Sequence, residues 1–113
     1  MNSYASTALK AADLISQGLD PKNAWEKASF HYFKPGSAAQ KKGCPKNAFL
    51  GLYGVNPNGK NATYARNAVN YLRKNPNYKS IGNLWSIARG ENEICHNSQM
   101  HVVLALWNAG YIK

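Results

Sequence analysis

One stretch near the end of the chain decides the fold: residues 98–108 read SQMHVVLALWN. The apolar positions 100, 103, 104 and 107 recur at the spacing i, i+3, i+4 and i+7, which is typical of one face of an α-helix. Positions 102 and 106 widen this apolar surface around the helix. A helix that is apolar on most sides is usually enclosed by other elements. We therefore expect a helix at the centre of the molecule.

The rest of the chain carries helix signals and shows no strict alternation of the kind that predicts strands. Asp20-Pro21 and Ser80 are typical helix starts, and Gly18 and Gly90 are typical helix ends. Helices are expected over about 3–17, 21–34, 44–53, 62–74, 80–89 and 98–108. The sequence thus predicts an all-α, compact single-domain bundle of five to six short helices over residues 1–113.

The apolar stripes of these segments also predict a core and an exposed loop. The loop covers residues 55–61, where Asn58-Gly59 tolerates positive φ. The predicted core residues are Leu9, Trp25, Phe49, Leu52, Val69, Leu72, Leu84, Trp85, Val103, Leu104 and Trp107. Tyr32 is expected to continue the stripe of the second helix.

The chain is strongly basic, with 14 Lys and Arg against 5 Asp and Glu and a formal net charge of +9. Residues 27–90 contain no acidic residue, so the basic side chains there have no carboxylate partner within their own segment. These are Lys27, Lys34, Lys41, Lys42, Lys46, Lys60, Arg66, Arg73, Lys74, Lys79 and Arg89. Such a region either keeps the protein in solution as a solvated basic face or attracts a polyanion.

No apolar run approaches the roughly 18 residues that cross a bilayer, and the N-terminus lacks the pattern of an export signal. We therefore expect a cytoplasmic protein without a membrane partner. In that compartment Cys44 and Cys95 are expected to stay reduced thiols.

Two motifs are similar to those of a small bacterial family of uncharacterised proteins. They are KKGCPKNAFLGL at residues 41–52 and HNSQMHVVLALW at residues 96–107. The AWE stretch at 24–26 and the pattern YAxxAV from Tyr64 to Val69 resemble the same family, so the resemblance covers most of the chain. This sequence differs in having His101 where the family pattern leads us to expect an acidic residue, and in a shortened loop around Asn58. The family has no established activity, so the resemblance implies no mechanism.

One arrangement could carry nucleophilic chemistry. Cys44 is predicted at a helix start between Lys42 and Lys46, where free amide groups and cations favour the thiolate. His96 and Asn97 could complete the Cys, His and Asn set of a thiol hydrolase, although such a set is recognised by geometry and not by spacing. The alternative is that Cys44 is a cap residue and that His96 and Asn97 lead into the last helix. An enzyme is not the favoured interpretation.

A metal site built from Cys44, Cys95, His96 and His101, with His31, is not supported. Structural zinc sites show paired ligands two to four residues apart, and here only Cys95 and His96 are close, as immediate neighbours. No metal and no cofactor is predicted.

We interpret the protein first as a small basic accessory module that binds another protein. The alternative is a module that binds nucleic acid, or another polyanion, through the basic region 27–90. Arg66, Asn70, Arg73 and Lys74 are expected on one face of the fourth helix, because residues three and four apart are neighbours there. Lys41, Lys42 and Lys46 flank Cys44 and complete the set of predicted nucleic-acid contacts. An apolar surface patch would indicate the first function, and convergence of the basic residues would indicate the second.

Overall fold

The structure of the protein, a computed structural model, describes residues 1–78, 80–92 and 94–113. Over these ranges the chain forms helices and no strand. The helices are α1 (Ser3–Ser16), α2 (Pro21–Ser29), α3 (Gly43–Leu52), α4 (Lys60–Lys74), α5 (Ile81–Arg89) and α6 (Gln99–Asn108). They pack into a body measuring 34 × 27 × 27 Å. The predicted all-α bundle is confirmed.

Short-range hydrogen bonds fix where three helices begin. The Asn2 side chain accepts hydrogen bonds from two backbone N–H groups in the first turn of α1. An Asp20 carboxylate oxygen accepts from the Asn23 N–H at 3.2 Å, with Pro21 at the first position of α2. The Ser80 hydroxyl oxygen accepts from the Asn83 N–H at 3.4 Å. Each cap satisfies an amide that has no partner within its helix.

Two predicted helix ends are wrong. α2 ends at Ser29, and Tyr32 is 44% exposed instead of continuing the apolar stripe. The chain turns here because the buried Gln40 side chain reaches back and donates to the Ser29 hydroxyl at 2.8 Å. α3 begins at Gly43 with Lys42 in the capping position, so Cys44 is the second residue of the helix and not its cap.

Helix α6 lies at the centre, as predicted, and separates two apolar clusters. Met100, Val103 and Leu104 belong to the cluster formed with α4 and α5. Val102 and Leu106 belong to the cluster formed with α1 and α2. α6 packs against α1, α3, α4 and α5. This position explains why its sequence is apolar on nearly all sides.

Three residues of the predicted core are only partly buried: Leu9, Leu52 and Trp107. The other eight predicted core residues are buried. The Trp107 indole N–H donates to the Pro76 carbonyl oxygen at 3.2 Å, which draws one edge of the ring to the surface. Helical periodicity places these side chains on the inward face of their helices. How much of that face the neighbouring helices cover depends on tertiary packing.

Helices α3 and α4 approach each other closely at Gly51. A β-carbon added to Gly51 would lie 2.2 Å from the Ala62 β-carbon and 2.6 Å from the Ala62 α-carbon. Non-bonded carbon atoms normally stay about 3.5–4.0 Å apart. Only glycine therefore permits this separation of the two helices.

Candidate nucleic-acid interface

A groove with a volume of about 300 Å³ runs between the end of α3, the outer side of α4 and the C-terminal residues. Its apolar wall includes Leu52, Val69 and Ile112. Its polar and aromatic lining consists of Arg66, Asn70, Arg73, Tyr111 and Lys113. Three of these side chains carry positive charge and none is acidic.

The spacing along α4 brings three of the predicted contacts together. Arg66, Asn70 and Arg73 lie at i, i+4 and i+7 and line this one groove. The Arg66 guanidinium donates to the Pro57 carbonyl oxygen and, at 3.4 Å, to the Thr63 hydroxyl. These bonds hold the guanidinium beside the loop before α4, which is shorter than the predicted 55–61 because the helix begins at Lys60. Because a guanidinium has five N–H donors, three remain for a ligand.

Arg73 is anchored in a similar way. Its Nε–H donates to the main-chain oxygen of Lys113 at 3.0 Å, and Nη1 donates to the Asn70 side-chain oxygen at 3.4 Å. These contacts leave three further N–H donors on this guanidinium. The bond to Lys113 also ties the C-terminal residues to α4.

The segment after α6 turns back over the groove at Gly110, whose φ of +83° favours glycine. The Tyr111 N–H donates to the Leu106 carbonyl oxygen at 3.0 Å, and Ile112 packs against both apolar clusters. The Tyr111 ring stays 42% exposed. Burial raises the pKa of Tyr53, and repulsion from Tyr111 raises it further, which places the two phenols near each other.

The remaining predicted contacts lie elsewhere or beside the groove. Lys41 and Lys46 line a different cavity of about 170 Å³ together with Glu26. The Lys42 ammonium lies 5.9 Å from the centre of the Tyr4 ring. Lys74 is exposed at the end of α4, one residue beyond Arg73. The basic residues therefore divide between at least two surfaces.

Acidic side chains are concentrated in another part of the bundle. Asp13 lies on α1, and Asp20 and Glu26 lie at the start of α2 and on α2. α1 and α2 pack against each other, whereas α4 packs against α3, α5 and α6. Glu91 follows α5. Lys79 and Glu93 lie outside the described residues. The lining of the groove on α4 thus contains no acidic side chain.

The hydrogen bonds of His96 and Asn97 serve the start of α6. The His96 Nε2 accepts from the Met100 N–H at 3.0 Å. The Asn97 side chain donates to the Cys95 carbonyl oxygen at 3.3 Å, and its backbone N–H donates to the Gln99 side chain. No bond joins His96 to Asn97 among these contacts. The structure therefore gives His96 a helix-capping geometry, while Asn97 bonds locally in the turn before α6 and Cys44 lies half-buried in the first turn of α3.

Acceptance of the Met100 N–H requires His96 to be neutral at Nε2. Burial is the main cause that lowers the pKa of His96 to about 4, and repulsion from the neighbouring His101 and Lys42 contributes to the same shift. The two imidazoles stack with ring centres 5.3 Å apart, and burial also lowers the pKa of His101. A neutral His96 is a stable hydrogen-bond acceptor for the helix.

Metal ligands do not cluster in the part of the chain that the structure describes: no three His, Cys, Asp or Glu residues come together closely enough to hold an ion. Both cysteines are free thiols, Cys44 half-buried and Cys95 exposed. None of the described helices is long and apolar enough to cross a membrane.

Sequence reasoning missed the residues that the C-terminal segment adds to the groove, Tyr111 and Lys113. The last helix was expected to end at residue 108, before Gly110, but the end of a helix does not reveal where the chain goes next. An exposed aromatic residue beside a lysine after that glycine is the only local signal that could have drawn attention to the segment.

Over residues 1–113 the chain matches a family described as "Family of unknown function (DUF6979)". The chain belongs to this family. The expected membership in a family without established activity is confirmed by a match over the full sequence. No curated protein and no solved structure matches the chain.

Proposed function

We propose that this protein binds nucleic acid through the phosphate backbone, using the groove on α4. The observation that carries the proposal is the convergence of Arg66, Arg73 and Lys113 on one groove that also presents the Asn70 amide. Guanidinium and ammonium groups together with amides are the common donors to phosphate oxygens in protein–nucleic acid complexes.

The arrangement of the two arginines supports the proposal. Each guanidinium is held by hydrogen bonds to neighbouring groups, so less side-chain freedom is lost when a phosphate binds. Planar guanidinium groups also match phosphate oxygens in a bidentate geometry. Two such groups on the same face of α4 can contact successive phosphates.

Binding of a protein partner, which the sequence favoured first, has less support from the surface. The large exposed apolar side chains belong to separate elements. Phe30 and Tyr32 follow α2, which packs on α1 and α3. Ile87 lies on α5, which packs on α4 and α6, and Ile94 follows that helix. An apolar docking face would instead gather such residues into one patch.

The proposal is tested by fluorescence anisotropy of a labelled nucleic acid at several salt concentrations. Arg66, Arg73, Lys74 and Lys113 offer about four phosphate contacts, so on duplex DNA the log of the binding constant should fall with log salt at a slope of about −3.6. The double variant Arg66→Gln and Arg73→Gln should reduce the slope to about −1.8 and weaken binding to all sequences alike.

A matched control removes two charges from α2, which contributes no residue to the lining of the groove. Lys22 and Lys27 are both exposed on α2, so Lys22→Gln with Lys27→Gln changes the net charge by the same amount. This control should keep the original slope. Equal losses in the two double variants would show a general effect of net charge and would contradict a site on α4. Undetectable binding to DNA and RNA at low salt would refute the proposal and favour a protein partner.

A further inference from the structure

We propose that the groove takes single-stranded nucleic acid, with one unpaired base stacked on the ring of Tyr111. The inference rests on the proposed function and adds the strand state of the ligand. Phosphate contacts alone would suit duplex and single strand equally. The aromatic and apolar parts of the groove are the features that distinguish the two.

Tyr111 lies in a segment whose main chain is anchored. Its backbone N–H is bonded to the Leu106 carbonyl oxygen on one side, and the following residues are tied down on the other. Ile112 packs into the core, and the main-chain oxygen of Lys113 accepts from Arg73 at 3.0 Å. The segment that carries this ring is therefore held on both sides before any ligand arrives, and the ring itself is 42% exposed and open to stacking.

The groove around Tyr111 offers different groups for the base and for the phosphates of a nucleotide. Leu52, Val69 and Ile112 form an apolar wall against which a flat base can lie. Arg66 and Arg73 are placed for the flanking phosphates. The Asn70 amide offers both a donor and an acceptor, although its oxygen already accepts from Arg73 at 3.4 Å. A groove of about 300 Å³ can receive one flat base.

Duplex DNA cannot use this ring, because its bases are stacked on each other and present only their edges in the grooves. In single strands every base has a free π-face, and stacking on aromatic side chains is the usual way in which such strands are bound without sequence preference. We therefore expect a preference for single strands that depends on the Tyr111 ring.

The experiment compares three labelled 12-mers by fluorescence anisotropy with the full chain: oligothymidylate, an abasic strand with the same number of phosphates, and a duplex. Oligothymidylate should bind about 5- to 100-fold more tightly than the abasic strand, which is the usual range for one stacked base. Tyr111→Ala should bring the ratio of the affinities for oligothymidylate and the abasic strand close to one. Tyr111→Phe, which retains the ring, should keep the ratio of the parent protein.

The outcomes separate this inference from the proposed function. If oligothymidylate and the abasic strand bind equally well to the parent protein, the stacking inference is overturned while binding through phosphates stands. If Tyr111→Ala weakens the abasic strand as much as oligothymidylate, the residue supports the groove and not a base, which also overturns the inference. If none of the three ligands binds, the proposed function itself fails.

Discussion

Replacement of Gly51 by Ala tests the closest contact in the fold. The new β-carbon would lie 2.2 Å from the Ala62 β-carbon and 2.6 Å from its α-carbon. Restoration of a normal carbon–carbon distance requires α3 and α4 to separate by more than about 1 Å. Overpacking of this kind costs about 1–3 kcal/mol, and more where the obstructing atom is backbone. The better helix propensity of Ala returns at most about 1 kcal/mol.

Because one obstructing atom here is the Ala62 α-carbon, the overpacking cost lies at the upper end of this range or above it. The expected net loss for Gly51→Ala is therefore about 2 kcal/mol or more in the free energy of unfolding. It is measured by urea denaturation, followed by tryptophan fluorescence and by circular dichroism. Gly82→Ala is a matched control, because Gly82 is an exposed helical glycine with no atom within 4 Å of its added β-carbon. This control should leave the stability unchanged or raise it by up to about 1 kcal/mol.

A second variant isolates the contact itself. Ala62→Gly removes the β-carbon that Gly51→Ala would strike, so the double variant should recover part of the loss. The coupling energy between the two positions should be about 1 kcal/mol or more. Equal stability of Gly51→Ala and Gly82→Ala, or no coupling between positions 51 and 62, would show that α3 and α4 do not approach each other as closely as described.

The remaining predictions concern two tryptophans and two helix caps. Trp25→Ala should cost about 3–5 kcal/mol, since the ring is 1% exposed, whereas Trp107→Ala should cost clearly less because its ring is only partly buried; urea titrations that rank them in the opposite order would contradict the assigned burial. The folded state holds the pKa of His96 at about 4, below the unfolded value of about 6.5, so the unfolded state binds more protons and stability should fall as pH falls from about 7 to 4. After allowance for the partial exposure of His96 the fall is about 1–2 kcal/mol, and His96→Gln should reduce it; an unchanged pH profile in that variant would show that other groups are responsible. Ser80→Ala should cost about 0.5–1 kcal/mol by thermal unfolding, because the cap bond to Asn83 is long at 3.4 Å, and an unaltered melting temperature would remove the cap from the account of α5.

The sequence predicted what depends on neighbouring residues along the chain. Asp20-Pro21 and Ser80 mark helix starts because their side chains or ring act on amides only a few residues away. The central position of α6 was also predictable, because an apolar surface on nearly all sides of a helix has to be covered by several neighbours. The shared face of Arg66, Asn70 and Arg73 follows from the same local periodicity.

The tertiary structure alone decided which faces meet and how closely. A glycine within α3 reads as a weak helix former until Ala62 is seen against it. Lys41 and Lys46 are far from Arg66 along the chain, so local periodicity does not relate their positions. Packing places them at a different cavity, beside Glu26. Tyr111 and Lys113 join the groove only because the chain folds back after Gly110 and bonds to α4. Local propensity sets helices one at a time, whereas a site made of three separate segments exists only after long-range packing has brought them together.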